Sequence, residues 1–247
     1  MFAQKTVQPS KSKSAVTKHP APLGIPASYR DLLDKSTQAL MVTTAGWNAV
    51  DGRLQRYEKR EGRWLEVGDW VPVVVGKNGL GWDALVEPAP ARAPAKKEGD
   101  GRSPAGIFTI GHAFGFAPAA TDLKLPYQPL TDKIECVDDP SSQEYNQVVD
   151  RDEIANPDWN SSEKMRTIDA YKEGAIVNYN AEKIPDAGSC IFLHIWSGSG
   201  HGTAGCTAMP EDKLREVLGW LDESKNPVLI QLPAATYKEV KETWKLP

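Results

Sequence analysis

From Ala39 to Val75 short apolar runs alternate with polar positions, and turn-forming residues separate them. The spacing predicts strands over 39–44, 53–60, 64–67 and 71–75. Val50-Asp51-Gly52-Arg53 and Arg60-Glu61-Gly62-Arg63 carry the Asp-Gly and Glu-Gly steps that hairpins favour, so this stretch reads as an antiparallel meander. Further strands are predicted over 107–111, 127–130, 134–137, 175–179, 190–196 and 228–232. The helical period surfaces after Pro210, where Leu214, Val217, Leu218 and Leu221 fall at i, i+3, i+4 and i+7. Shorter helices are predicted from Ser28-Tyr29-Arg30-Asp31, read as a capping box, through about Ser36, and from Asn160-Ser161-Ser162-Glu163 towards Tyr171. A last helix is predicted over 236–244. The chain is thus mainly β, a β-rich α+β protein.

Composition narrows the function. With 247 residues and 40% hydrophobic content the chain can bury a sizeable core, as one domain with ornaments or as two small ones. A formal net charge of −4 argues against broad phosphate neutralisation, so no nucleic-acid partner is expected. No apolar run of about 18 residues occurs, hence no membrane span is expected. Residues 1–27 carry Lys5, Lys11, Lys13 and Lys18, are rich in Ser and Pro, and contain no acid. They read as a flexible basic tail. Met1-Phe2-Ala3-Gln4 lacks the apolar stretch of an export signal.

The chemistry concentrates in Cys190–Cys206, which holds two of the three cysteines and two of the four histidines. An apolar run through Trp196 reads as a buried strand with His194 near its end, followed by a loop containing Gly198, Gly200, Gly202 and Gly205, then Cys206. A thiol becomes a nucleophile at neutral pH when a neighbour stabilises its thiolate, and an imidazole is the usual device. Packing alone would make Cys206 a small buried hydrophobe and His194 a satisfied core histidine, but it does not require the glycines around them.

At these residues the sequence resembles the L,D-transpeptidase (YkuD-like) family of peptidoglycan enzymes. His194 matches the family's histidine at a strand end, and Thr203-Ala204-Gly205-Cys206 matches its Ser/Thr-x-Gly-Cys nucleophile motif. Asp100-Gly101-Arg102-Ser103-Pro104-Ala105-Gly106-Ile107-Phe108 is similar to the family's Asp-Gly-Lys/Arg-Thr-Pro-x-Gly-x-Phe turn. The resemblance extends through Thr43–Asn48 and Gly76–Leu80, covering roughly residues 39–233. It implies a YkuD-like antiparallel β-sandwich or barrel with a few peripheral helices, forming a single catalytic domain over 28–247. Two departures mark a divergent branch: Ala204 stands where many members have a second histidine, and Ala208 where many have arginine or asparagine. Because the resemblance resumes after it, the Pro/Ala-rich segment 87–95 reads as a surface loop rather than a boundary.

The resemblance implies acyl transfer without cofactor or metal. His194 would take the Cys206 proton and the thiolate would attack a stem tetrapeptide, expelling its terminal D-alanine. Amides of Gly205 and Cys206, with Ala204, would hold the oxyanion. Thr203, Arg102, Trp196, His201 and Asp138 are candidate substrate contacts; His201 is a second candidate base, though a glycine loop is a poor platform for one. A transpeptidase acting on peptidoglycan stem peptides is expected, with hydrolysis by the same pair as an L,D-carboxypeptidase or endopeptidase, and a non-catalytic wall-binding module, as alternatives. The family works outside the cytoplasm, so a periplasmic, envelope or secreted monomer is expected. Cys136 and Cys190 would then either form a disulfide or remain two buried thiols. A dinucleotide loop fits poorly because Cys206 and Pro210 intervene before the helix, and His194, His201 and Cys206 match no familiar zinc spacing.

Overall fold

The computed structural model describes residues 23–247, and the expected basic tail therefore falls, up to residue 22, outside the described residues. β1 (Gln38–Thr44), β2 (Asp51–Arg60) and β3 (Arg63–Val74) form the meander; β4 (Leu80–Trp82) and β6 (Tyr127–Pro129) flank the long β5 (Ser103–Gly115). β7 (Ile134–Val137), β8 (Val148–Asp150) and β9 (Ser162–Lys164) make a separate three-stranded sheet with β7 at its centre. β10 (Glu173–Val177), β11 (Phe192–Ile195), β12 (Thr207–Met209) and β13 (Val228–Pro233) follow. Hydrogen bonding runs β5-β10-β11-β12-β3-β2-β1-β13 and returns to β5, closing a barrel. Its seams are antiparallel except β1–β13 and β11–β12. Between β12 and β3 one residue pair, Ala208 with Val74, makes the join.

Among the described residues three α-helices cover this barrel: α1 (Ala27–Lys35), α2 (Glu211–Trp220) and α3 (Ala234–Trp244). Leu214, Val217, Leu218 and Leu221 are all buried, as their spacing predicts. Each fully buried leucine stabilises by about 1.5–3 kcal/mol relative to exposure. Tyr29 on α1, Trp82 on β4 and Trp244 on α3 meet with ring centroids 5.9–6.3 Å apart. The Trp244 indole N–H donates to the Leu23 carbonyl at 2.9 Å, so packed chain extends ahead of residue 28. A second cluster, including Phe114, Met165, Tyr171, Phe192 and all three cysteines, ties the small sheet to the barrel.

Several local expectations change. The segments 64–67 and 71–75 are one strand, β3, because a register shift opposite Leu54–Arg56 absorbs Gly68 and Asp69. Asp51-Gly52 lies inside β2 rather than in a turn: a Cβ at residue 52 would stand 2.9 Å from the Thr43 carbonyl oxygen, so glycine permits the close pairing with β1. The Glu61-Gly62 hairpin forms as expected, both residues having positive φ. Ser28 lies within α1, whose N-cap is Pro26 with no side-chain cap. The helix expected after Asn160 does not form; Glu163 pairs with Cys136 in β9, and single 3₁₀ turns at Met165–Thr167 and Asp169–Tyr171 follow. Here pairing with β7 outweighs a local capping signal.

Cys136 on β7 and Cys190 ahead of β11 are disulfide-bonded, with Cα atoms 6.0 Å apart. The bond closes a loop of 54 residues between the small sheet and the barrel. Closing such a loop stabilises by about 2–4 kcal/mol through the unfolded chain. Cys136→Ala is therefore expected to lower the thermal midpoint by roughly 4–16 °C, measured by circular dichroism without reductant. An unchanged midpoint would show that the small sheet is held without the bond.

Candidate active site

The parallel β11–β12 seam places His194 opposite Ala208 and Leu193 opposite Thr207, which brings Cys206, just ahead of β12, beside Phe192. The Phe192 N–H donates to Cys206 Sγ at 3.3 Å, and the thiol donates to the Cys190 carbonyl at 3.4 Å. His194 and Phe192 stand two residues apart on β11, so their side chains share one face. Both meet the ring of Tyr171, with centroids 5.4 and 5.3 Å away. His194 and Phe192 thus pack on Tyr171, and Cys206 belongs to the same buried cluster as Phe192 and Tyr171.

The glycine loop between them is fastened at both ends. Asp51 Oδ1 accepts from Ser199 Oγ at 3.0 Å and from the Gly200 N–H at 2.9 Å. Thr203 exchanges backbone bonds with the Val75–Lys77 turn: its N–H donates to Val75 at 3.0 Å and its carbonyl accepts from the Lys77 N–H at 2.8 Å. A Cβ at residue 202 would lie 2.5 Å from Lys77 Cα, so glycine is required for the two backbones to meet. Below the loop two hydroxyls converge on the Cys206 carbonyl, Ser103 Oγ at 2.8 Å and Thr203 Oγ1 at 2.6 Å. Ser103 Oγ also accepts the Gly76 N–H at 2.8 Å. This clamp fixes the peptide that carries the thiol.

The sequence-derived candidates fall into distinct places. Thr203 acts inside the loop, and its hydroxyl takes the Gly205 N–H at 3.2 Å, which leaves the Ala204 and Cys206 amides as the candidate oxyanion donors. Arg102 donates to the Trp47 and Leu80 carbonyls at 3.2 and 2.9 Å and to Asn48 Oδ1 at 2.9 Å, bracing the turn before β2. His201 is exposed, its Nδ1 3.1 Å from the Ser199 carbonyl. Trp196 is half-buried, and its N–H continues the β11–β12 ladder to the Met209 carbonyl. Asp138 has a buried Oδ1 without a hydrogen-bond partner. Ala208 is fully buried in the barrel seam. Trp159 donates its indole N–H to Glu135 at 3.0 Å within the small sheet. Ser103, Tyr171 and Glu163 were not singled out by sequence reasoning; Ser103 lies in the Asp-Gly-Arg-Ser-Pro turn, where the family motif's threonine offered a signal.

Electrostatics place both partners in their neutral forms. His194 Nδ1 lies 2.7 Å from the Ile195 carbonyl, which can only accept, so Nδ1 carries the proton and Nε2 is the free base. Burial depresses the His194 pKa, opposed by that bond. Burial raises the Cys206 pKa well above the ordinary thiol value, and the Glu163 carboxylate adds to the rise. A neutral thiol and a neutral imidazole on the paired β11–β12 seam do not make a standing ion pair, and proton transfer between them would need substrate to arrive. Among the described residues no group of three or more His, Cys, Asp or Glu side chains could hold a metal.

The family model described as the L,D-transpeptidase catalytic domain, YkuD, matches residues 47–230. No curated protein matches the chain, and no solved structure does.

Two outcomes follow from the clamp and the neutral pair. Ser103→Ala would orphan the Gly76 N–H and weaken the hold on Cys206, costing about 1–3 kcal/mol of stability in a denaturant titration. The ultraviolet thiolate band should be absent at pH 7 and appear only above the ordinary thiol range; a band at neutral pH would mean a preformed ion pair.

Proposed function

The chain belongs to the L,D-transpeptidase catalytic domain family, and from that premise we propose that it is a cysteine acyltransferase acting on peptidoglycan stem peptides. The observation that carries this reading is the clamped Cys206 on the strand seam beside the one that carries His194, whose free nitrogen is fixed as Nε2. A buried cysteine with no chemical duty needs neither a doubly held carbonyl nor an oriented imidazole.

His194 Nε2 takes the thiol proton as Cys206 Sγ attacks the stem-peptide carbonyl on the L-centre of the third residue. The Ala204 and Cys206 amides stabilise the oxyanion, each donor contributing about 3–4 kcal/mol in comparable sites. His194 returns the proton to the departing D-alanine amine, leaving a thioester on Cys206. An amine acceptor from a second stem then gives a crosslink, whereas water gives a shortened peptide. With Ala208 buried, no side chain at that position holds the substrate carboxylate. The family acts on peptidoglycan and is typically associated with the cell wall, and no helix among the described residues is long and apolar enough to cross a membrane. On this reading the protein works in the periplasm or envelope, where the Cys136–Cys190 disulfide is stable.

Purified disaccharide-tetrapeptide muropeptides, separated by liquid chromatography and mass spectrometry after incubation, test the reading. The protein should yield dimers; tripeptides alone would make it a carboxypeptidase on the same thiol. Cys206→Ser should reduce either product to background, and product formation by that variant would remove Cys206 from the mechanism. His194→Ala should lose activity by about 10²–10⁴, far more than His201→Ala; equal losses would move the base into the loop.

A further inference from the structure

The two hydroxyls fix the peptide of Cys206 but leave rotation of its side chain about Cα–Cβ open. That rotation is limited by the two backbone groups that meet the sulfur, the Phe192 N–H at 3.3 Å and the Cys190 carbonyl at 3.4 Å. Phe192 is held by its ladder with Ile176 on β10. Cys190 lies ahead of β11, outside that ladder. With φ at +54° it is a non-glycine residue in the left-handed region, a conformation that persists only where its surroundings enforce it. Packing does not enforce it on every side, because a cleft of about 220 Å³ opens beside Cys190, lined also by Cys136, Asn146, Val148, Tyr179 and Phe192.

Asn146 meets Cys190 from the hairpin between β7 and β8. Its Oδ1 accepts the Cys190 N–H at 2.9 Å, and its Nδ2 donates to the Tyr179 and Asn180 carbonyls at 2.7 and 2.9 Å. These partners fix the amide's orientation, since the N–H needs the oxygen and the carbonyls need the nitrogen, and both donors are used. Asn146 is itself left-handed, at φ +61°, a region that asparagine tolerates better than most residues. Its own N–H donates to the Val137 carbonyl on β7 at 2.8 Å. We propose that Asn146 is a positioning residue for the Cys206 nucleophile: together with the Cys136–Cys190 disulfide it fastens Cys190, so that the Cys190 carbonyl sets the direction of the Cys206 thiol. The inference rests on Cys206 being the nucleophile. One fastening holds the Cys190 side chain and the other its N–H, which leaves its carbonyl aimed at sulfur.

Asn146→Gly isolates the amide, because glycine accepts the same positive φ without strain. In muropeptide turnover kcat should fall by about ten- to a hundredfold with KM within about threefold, the mark of a displaced sulfur rather than of lost substrate binding. Alkylation of Cys206 by iodoacetamide at pH 8, located by mass spectrometry, should move the other way. It should rise by about five- to tenfold, because the S–H bond loses its acceptor and the sulfur turns more freely. Trp244→Phe removes the indole bond to Leu23 on α3 and serves as the control for general loosening; it should leave both rates within about twofold. In Asn146→Gly, an alkylation rate or a kcat within about twofold of the unmodified protein, or changes matched by Trp244→Phe, would each overturn the proposal.

A second comparison locates the effect at Cys190. Cys136→Ala with Cys190→Ala removes the disulfide, keeps the carbonyl of residue 190 and leaves Cys206 as the one thiol. Because both fastenings act on the same residue, adding Asn146→Gly to this background should not multiply the alkylation rate by the factor seen in the unmodified protein. An equal factor would mean that Asn146 acts elsewhere and would overturn the proposal. Should that background unfold, the comparison of Asn146→Gly with Trp244→Phe still decides. If alkylation responds as expected while the unmodified protein leaves muropeptides unprocessed, the substrate assignment fails and the Asn146–Cys190–Cys206 link stands. Normal turnover with an unmoved alkylation rate in Asn146→Gly sinks the link and leaves acyl transfer intact.

Discussion

The site depends on the two hydroxyls that hold the Cys206 carbonyl. Ser103 and Thr203 come from opposite sides of the chain, one opening β5 and the other closing the glycine loop, and their oxygens lie 2.8 and 2.6 Å from the same acceptor. Because β5 pairs with β13 and with β10, the Ser103 bond ties Cys206 to the centre of the barrel. Thr203 ties the same peptide to the Val75–Lys77 turn. Besides these bonds β12 is held by the single Ala208–Val74 pair with β3, by its parallel ladder with β11 and by the Thr207–Gln231 hydrogen bond to β13. A buried carbonyl satisfied twice is costly to displace, so the position of the thiol is set by the fold as a whole.

Burial then sets the chemistry. Cys206 and His194 are both nearly withdrawn from water, at 5% and 8% exposure, and low dielectric disfavours the charged form of each. On the proposed reading, a pair kept neutral in this way would react when substrate brings a carbonyl to the sulfur. At Cys206 the Glu163 carboxylate pushes in the same direction as burial. The Cys136–Cys190 disulfide links the sheet that carries Glu163 to the residue whose carbonyl accepts the thiol proton, so the small sheet is part of the site's framework.

What the sequence made legible was local chemistry. The apolar run before His194, the glycines after it and the Thr-x-Gly-Cys motif named the thiol and imidazole, and α2 followed directly from its apolar spacing. The β-rich fold with peripheral helices was also readable, since hairpin chemistry such as Glu61-Gly62 is encoded in adjacent residues. The segment around Asn160 was misread because its capping signal is local while its strand pairing is with β7, more than twenty residues away. Tyr171 carried no motif and Glu163 entered only as the end of a capping signal; the fold, not a local pattern, brings the Tyr171 hydroxyl to the Glu163 carboxylate. Arg102 shows the reverse case: it lies in the family-like turn, yet its guanidinium braces backbone carbonyls.

The central claim is that Cys206 carries the acyl group between donor and acceptor. Intact-protein mass spectrometry after rapid acid quenching of a mixture with tetrapeptide muropeptide tests it most directly. The account predicts a covalent adduct equal to the donor less its terminal D-alanine, located on the Cys206 peptide and released by hydroxylamine, which attacks the thioester carbonyl and frees the thiol. Turnover with no adduct on Cys206, or an adduct on another residue, would contradict it.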